Sequence, residues 1–313
     1  MNILVTGSIS YDEILDFPGK FVNYFQPEKL HQINVSFVVD RLERQLGGTA
    51  TNIAYNVSLA LRLFKPDVNS VKIFASVGKD GKVFIDFLGK SNIDTSGIMA
   101  DQKLYSAFGS VITDKKDNQI WGFYYGACER AKEIAIKKKI WKKSLMIISA
   151  NHPKAFMNFQ NQAIKNGVEY VYDPGMSLTW IKDRDLAAGV LKSKYLIGND
   201  YEITMILKRI GRTVSDLASK GISVITTLGE KGVVYQDRKH RIEVKAFRKG
   251  KVVDPTGAGD AWRGGFMAAI TSSSDLKTAL KLGNAMASFA IEKYGTVNHN
   301  PSVKAIEKRL KSM

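Results

Sequence analysis

Asp260 follows a Gly257-Ala258-Gly259 turn and opens an apolar run from Ala261 to Ile270. The stretch before it, Lys251-Val252-Val253-Asp254-Pro255-Thr256, passes from an apolar pair into a proline turn. That order reads as strand end, tight turn and helix start. Gly257 and Gly259 carry no Cβ, so the backbone can close on a ligand there. N–H groups in a first helical turn have no carbonyl four residues back, and those of Gly257, Ala258 and Gly259 would favour an anion in front of them. A carboxylate beside such a cradle repels a bound phosphate unless it takes the proton from a hydroxyl attacking that phosphate. Anion cradle plus base is equipment for phosphoryl transfer. The plainer account is that Asp254 or Thr256 caps the helix and Asp260 complements its dipole.

Other stretches place polar groups at strand ends. Gly7-Ser8-Ile9-Ser10-Tyr11-Asp12 ends a first apolar strand, and ligands of open α/β sheets bind at the carboxyl ends of strands. Asp12 there can accept from sugar hydroxyls or merely form an Asx turn. Gly47 and Gly48 lead into a helix expected over 53–64, and Asn52 offers both a donor and an acceptor. Asn199-Asp200-Tyr201-Glu202 has the spacing of a capping box. Thr227-Leu228-Gly229-Glu230-Lys231-Gly232 reads as a hairpin turn before Val233-Val234-Tyr235. Asn284 and Ser288, four apart on a helix expected over 275–294, share a face.

The Asp254–Trp262 string resembles the C-terminal signature of the ribokinase-like (PfkB) carbohydrate and nucleoside kinases, with Trp262 where Phe or Tyr is usual. Gly47-Gly48 with Asn52 resembles the N-terminal signature, and the Asn199–Glu202 and Thr227–Gly232 segments follow in the family's order. The resemblance spans nearly the whole chain. It implies a mostly parallel sheet flanked by helices on both faces, and a small discontinuous β lid. It implies that Asp12, Gly47, Gly48 and Asn52 contact an acceptor's hydroxyls. ATP is expected along Asn199, Glu202, Thr227, Gly229, Gly232, Asn284 and Ser288. Glu202 would order Mg²⁺ through water, which suits an ion that keeps its hydration shell. Asp254 and Thr256, with the 294–296 segment, would hold a monovalent cation such as K⁺.

The elements that must position these residues follow from patterning. Apolar strands at 3–7, 71–77, 145–149, 170–173, 195–198 and 224–227 alternate with helical stretches, which implies βαβ units in one core over residues 1–313. Residues 13–46, with Val35–Val39 as a strand-like piece, and the alternating hairpin at 103–127, turning at Asp117-Asn118, would form the lid. Phe37, Phe123, Tyr124 and Tyr125 can stack on a base or pack the lid itself; Tyr124 is taken as a substrate contact. The runs Asn34–Asp40, Gly7–Asp12 and Gly122–Ala127 resemble the adenosine and nucleoside kinase subgroup, which implies adenosine or another nucleoside narrowly over ribose, fructose or a sugar phosphate. A non-catalytic sugar- or nucleotide-binding sensor is the reading from another class.

Composition adds exclusions. Hydrophobic content of 44% and charged content of 24% are those of a globular protein, and no apolar run has the length of a membrane span. No secretory leader is evident, and Cys128 is the single cysteine, so a cytoplasmic protein without a disulfide is expected. The net charge of +16 is spread along the chain. Its densest run, Lys137–Lys139 with Lys142 and Lys143, has only Trp141 interleaved. It reads as a solvated basic face that also recruits a polyphosphate, rather than a nucleic-acid or membrane surface. Exposed lid strands invite pairing with a second copy, so a homodimer through the lid is expected.

Overall fold

Two sheets organise the chain, seen in a computed structural model that describes residues 1–25, 32, 34–64, 71–116, 118–247 and 250–313. In chain order the strands are β1 (Asn2–Thr6), β2 (Ser10–Asp16), β3 (Arg41–Gly47), β4 (Val71–Val77), β5 (Ile93–Ala100), β6 (Ala107–Thr113), β7 (Gln119–Tyr124), β8 (Ser144–Ser149), β9 (Glu169–Asp173), β10 (Tyr195–Asn199), β11 (Ser223–Thr227), β12 (Val233–Gln236) and β13 (Arg241–Val244). The large sheet runs β13-β12-β11-β10-β9-β8-β1-β4-β5, parallel from β11 to β5 and antiparallel at β12 and β13. The small one runs β3-β2-β6-β7. The expected mostly parallel sheet and discontinuous lid are therefore both present.

The helices are α1 (Thr49–Leu61), α2 (Lys82–Lys90), α3 (Lys138–Trp141), α4 (Pro153–Asn166), α5 (Asp183–Leu191), α6 (Asp200–Ile210), α7 (Val214–Ser219), α8 (Ala258–Thr271), α9 (Leu276–Ala290) and α10 (Val303–Lys311). Strand alternation sorts the core into two clusters. Ile3 and Val5 of β1 join Ile53, Phe266 and Leu280 from α1, α8 and α9. Leu4 between them joins Phe156, Leu186 and Ile203 from α4, α5 and α6 on the other face. This is why the strands read as continuous apolar runs: both faces are covered.

Three elements differ from the sequence reading. Val35–Val39 makes no ladder; Phe37 packs instead among Phe17, Phe21 and Tyr24, with ring centroids 4.7, 5.1 and 5.6 Å away. The segment's apolar residues thus serve a local aromatic cluster, while the lid strand starts earlier, at Ser10. The first helix begins at Thr49 rather than 53, so Asn52 sits in its first turn. β5 carries Asp94, Ser96 and Gly97 and lies at a sheet edge, which hid its strand character. Asp117, used above as a turn signal, lies outside the described residues.

His299 braces the middle of α1. It is 2% exposed, its Nε2 lies 2.7 Å from Asn56 Oδ1, and its main-chain oxygen accepts from Tyr55 Oη at 2.7 Å. Its Nδ1 has no partner among the described residues. Burial pushes the imidazole down to about 4. Because the unfolded chain binds this proton near pH 6.5 and the folded one does not, the contribution is whole above that pH. It is lost as pH falls from about 6.5 to about 4, by up to roughly 3 kcal/mol. Urea midpoints measured across that range should fall more steeply for wild type than for His299→Gln; parallel slopes would contradict the assignment.

Candidate active site

Between the lid strand β2 and the start of α8, Asp12, Asn52, Asp254 and Asp260 come close to one another. Asp12 is the third residue of β2, pairing Gln45 of β3 and Gly109 of β6. It stands in a strand rather than in an Asx turn. A Cβ at position 47 would collide with the Asp12 carboxylate, so Gly47 is what lets that side chain lie flat across β3. Gly48 caps α1 at φ +90°, where a side chain would also strike the Ser8 carbonyl.

Asp260 lies in the first turn of α8, which Gly257 enters at φ +76° against Thr296. Asn52, 4% exposed, donates from Nδ2 to Asp260 Oδ2 at 2.8 Å and accepts from Thr296 Oγ1 at 2.8 Å. The amide of Asn52 thus holds the carboxylate of Asp260 in place. Burial raises Asp260 to about 6, against the lowering effect of Arg263 and of the Asn52 bond. Asp12 is raised further, to about 7, by burial and then by the charges of Asp260 and Asp254. Two carboxylates therefore lie within reach of each other's charge with titrations displaced toward neutrality, the arrangement expected of acid–base chemistry.

The anion cradle is made slightly differently from the sequence reading. The Ala258 amide donates to the Pro255 carbonyl at 3.2 Å and is spent there. The amides of Gly257, Gly259 and Asp260 have no such partner among the described residues. Neither Asp254 nor Thr256 caps α8 with a side chain. Asp254 accepts from the Thr256 amide at 2.9 Å and the Gly295 amide at 3.0 Å, fastening the turn to the 295–296 segment.

Behind the cradle opens a cavity of about 500 Å³, lined mainly by apolar groups and reaching from Gly259 to Thr227, Gly229 and Gly232. Asn284 and Ser288 line it as expected, with their polar groups already engaged. Asn284 accepts from Trp262 Nε1 at 2.8 Å and donates to the carbonyls of Val244 and Lys245. Ser288 accepts from Arg309 at 2.8 Å and donates to Ala285. Trp262 also stacks on Phe266, so the unusual indole braces this wall. Asn199 and Glu202 form the capping box, each accepting from the other's amide at 2.8 Å, and do not line the cavity. Glu202 nonetheless lies close enough to add its charge to the surroundings of Asp260. Among the described residues no three His, Cys, Asp or Glu side chains are grouped to hold a metal.

Tyr124 falls on the wrong side of the lid. Gly109, opposite Asp12, pairs with Phe123, whereas Tyr124 pairs with Phe108 and packs on its ring. Phe123, followed edge-on by Tyr125 and then His152, is the aromatic on the Asp12 face. Arg263 and its partner Asp173 were also missed, although an arginine three residues after Asp260 shares its helical face.

The pfkB family carbohydrate kinase pattern matches residues 18–303. The chain belongs to that family. It is an ATP-dependent phosphotransferase with an alcohol group as acceptor. Among relatives, the nucleoside kinase of Methanothermobacter thermautotrophicus is 29% identical over 316 residues, covering 98% of this chain and 95% of that one. The crystal structure of the Methanocaldococcus jannaschii nucleoside kinase superposes with a TM-score of 0.87 at 25% identity, covering 100% of this chain and 98% of that one. The Burkholderia thailandensis nucleoside kinase in complex with inosine gives 0.82 at 28% identity, covering 99% and 97%. Among the described residues no helix is long and apolar enough to cross a membrane.

Proposed function

We propose that this kinase phosphorylates the primary hydroxyl of a nucleoside, with Asp260 as the general base. The carrying observation is the pair Asp12 and Asp260 within reach of each other's charge, with Phe123 on the same lid face as Asp12. Asp12 accepts hydrogen bonds from the sugar hydroxyls, and the Phe123 ring offers a flat apolar face to the base. Two similar proteins bearing nucleoside kinase names support the same class.

The reaction balances simply. The alcohol oxygen forms a bond to the γ-phosphorus as the bridging bond to the β-phosphate breaks. ADP leaves with that electron pair, and the alcohol proton passes to Asp260. The free amides of Gly257, Gly259 and Asp260 face the charge on the group in transit. The cavity holds the nucleotide, its apolar wall against the base and Gly259 at the phosphates. Mg²⁺, bound chiefly by phosphates and water, would take at most an outer contact from Glu202; one carboxylate fits such an ion. Bound, it neutralises polyphosphate charge. Asp254 and Thr256 are the residues for a monovalent cation, whose role would be to rigidify the 254–257 turn.

The test is a phosphorylation screen of adenosine, other nucleosides, ribose, fructose and fructose phosphates with MgATP, with and without potassium. Nucleosides should give the highest kcat/KM; preference for a free sugar or sugar phosphate would overturn the acceptor assignment. No transfer to any of them would favour a binding sensor.

A lid-mediated homodimer fits the exposure of every residue in β7, including Ile120 at 40% and Trp121 at 56%. Sedimentation equilibrium should give twice the chain mass for wild type and the monomer mass for Ile120→Arg. A monomeric wild type would dismiss the dimer. The buried Cys128 thiol is pushed up to about 12 by burial, which disfavours the reactive thiolate.

A further inference from the structure

Arg263 is an arginine that the capping, packing and base roles do not account for. It lies one turn beyond Asp260 in α8, is 7% exposed, and donates from Nη2 to Asp173 Oδ1 at 2.6 Å. Asp173, 4% exposed, ends β9 at the carboxyl edge of the sheet. Side chains in a helix lean toward its N-terminus, so the guanidinium reaches back over the first turn. It arrives beside the cradle: a Cβ on Gly259 would sit 2.8 Å from Nη1. Its Nε has no partner among the described residues, and its bond to Asp173 uses Nη2 rather than Nη1.

Three carboxylates, those of Asp173, Asp260 and Glu202, act on this one cation. Such a group is poorly explained as a stability device, because a buried ion pair gains little over apolar residues of the same volume. It is well explained by a visiting anion. The site must admit a polyphosphate next to those carboxylates, and Arg263 is the cation already held at the point where the phosphate turns over.

We propose that Arg263 is a catalytic residue whose guanidinium, pinned on one edge by Asp173, offers its free Nη1 edge to the oxygens of the phosphoryl group in transit over Gly259. Fixed in advance, it spends nothing on reorganisation as charge gathers during transfer. Arginine suits this place because its planar fork serves Asp173 and a phosphate oxygen at once, which a lysine cannot do. Gly259 is glycine partly for this reason, since a methyl group there would displace the fork. The inference rests on the kinase reading above.

The test compares wild type, Arg263→Gln, Arg263→Ala and the double variant Asp173→Asn/Arg263→Gln, with the acceptor that the screen finds turned over fastest. Arg263→Gln should lower kcat by about 10²- to 10³-fold while the acceptor KM stays within about threefold. Guanidinium ion in the millimolar range should restore part of kcat to Arg263→Ala. The double variant removes the uncompensated Asp173 charge, so its melting temperature should return toward wild type while kcat stays low. Recovery of both together would make the pair structural and overturn the proposal, as would a kcat within about threefold of wild type in the single variants. A wild type inactive toward every acceptor overturns the kinase reading and takes this inference with it.

Discussion

Asp260→Asn is expected to lower kcat by about 10²- to 10⁴-fold, the usual worth of a positioned general base. The change keeps shape and leaves an oxygen for the 2.8 Å bond from Asn52, so the first turn of α8 should hold its form. It removes only the ability to accept a proton. It also removes a negative charge beside the cradle, so ATP should bind as well as before or better. ADP affinity by calorimetry and kcat by coupled ADP release separate these effects. Near-normal turnover in the variant would refute the assignment; a tenfold loss of ADP affinity with kcat preserved would show a binding role instead.

Asp12→Ala is expected to reduce kcat/KM for the acceptor by about 10²- to 10⁴-fold, because a site built to pair substrate hydroxyls leaves them unpaired when its acceptor is lost. The KM for ATP should stay within about threefold, since Asp12 does not line the cavity assigned to the nucleotide. Asp12 stands where Gly47 leaves room for it, so the truncation opens space without forcing the backbone. If kcat/KM for the acceptor barely changes while ATP binding weakens, the two halves of the site have been assigned the wrong way round.

Much of this was legible because glycine turns are a local code. The Gly47-Gly48 and Gly257–Gly259 turns demand particular backbone shapes, and a string of residues announces them wherever the chain goes. Runs such as Leu145–Ser149 announce buried strands in the same way. What stayed hidden depends on partners far away in sequence. Tyr124 and Phe123 differ by one position, and only the register with Gly109 and Asp12 decides which faces the cleft. Asn52 has the chemistry of a substrate ligand, and nothing local shows that Asp260 and Thr296 already occupy its amide. Ala258 lost its place in the cradle to a single bond from its own turn. Arg263 reads as one basic residue among many until Asp173 is brought beside it from β9.

The most direct test of the central claim is the rate of the phosphoryl-transfer step itself against pH, by rapid quench with saturating acceptor and MgATP. Asp260 is raised to about 6 and must be ionised to take the proton, while Asp12 facing it titrates near 7. The rate should therefore climb from about pH 5, through one or two apparent pKa values between about 6 and about 7, to a plateau. In Asp260→Asn it should be low, with the Asp260 step gone and at most the Asp12 step left. A wild-type rate that does not change between about pH 5 and 8 would mean that no carboxylate in this cleft accepts the proton.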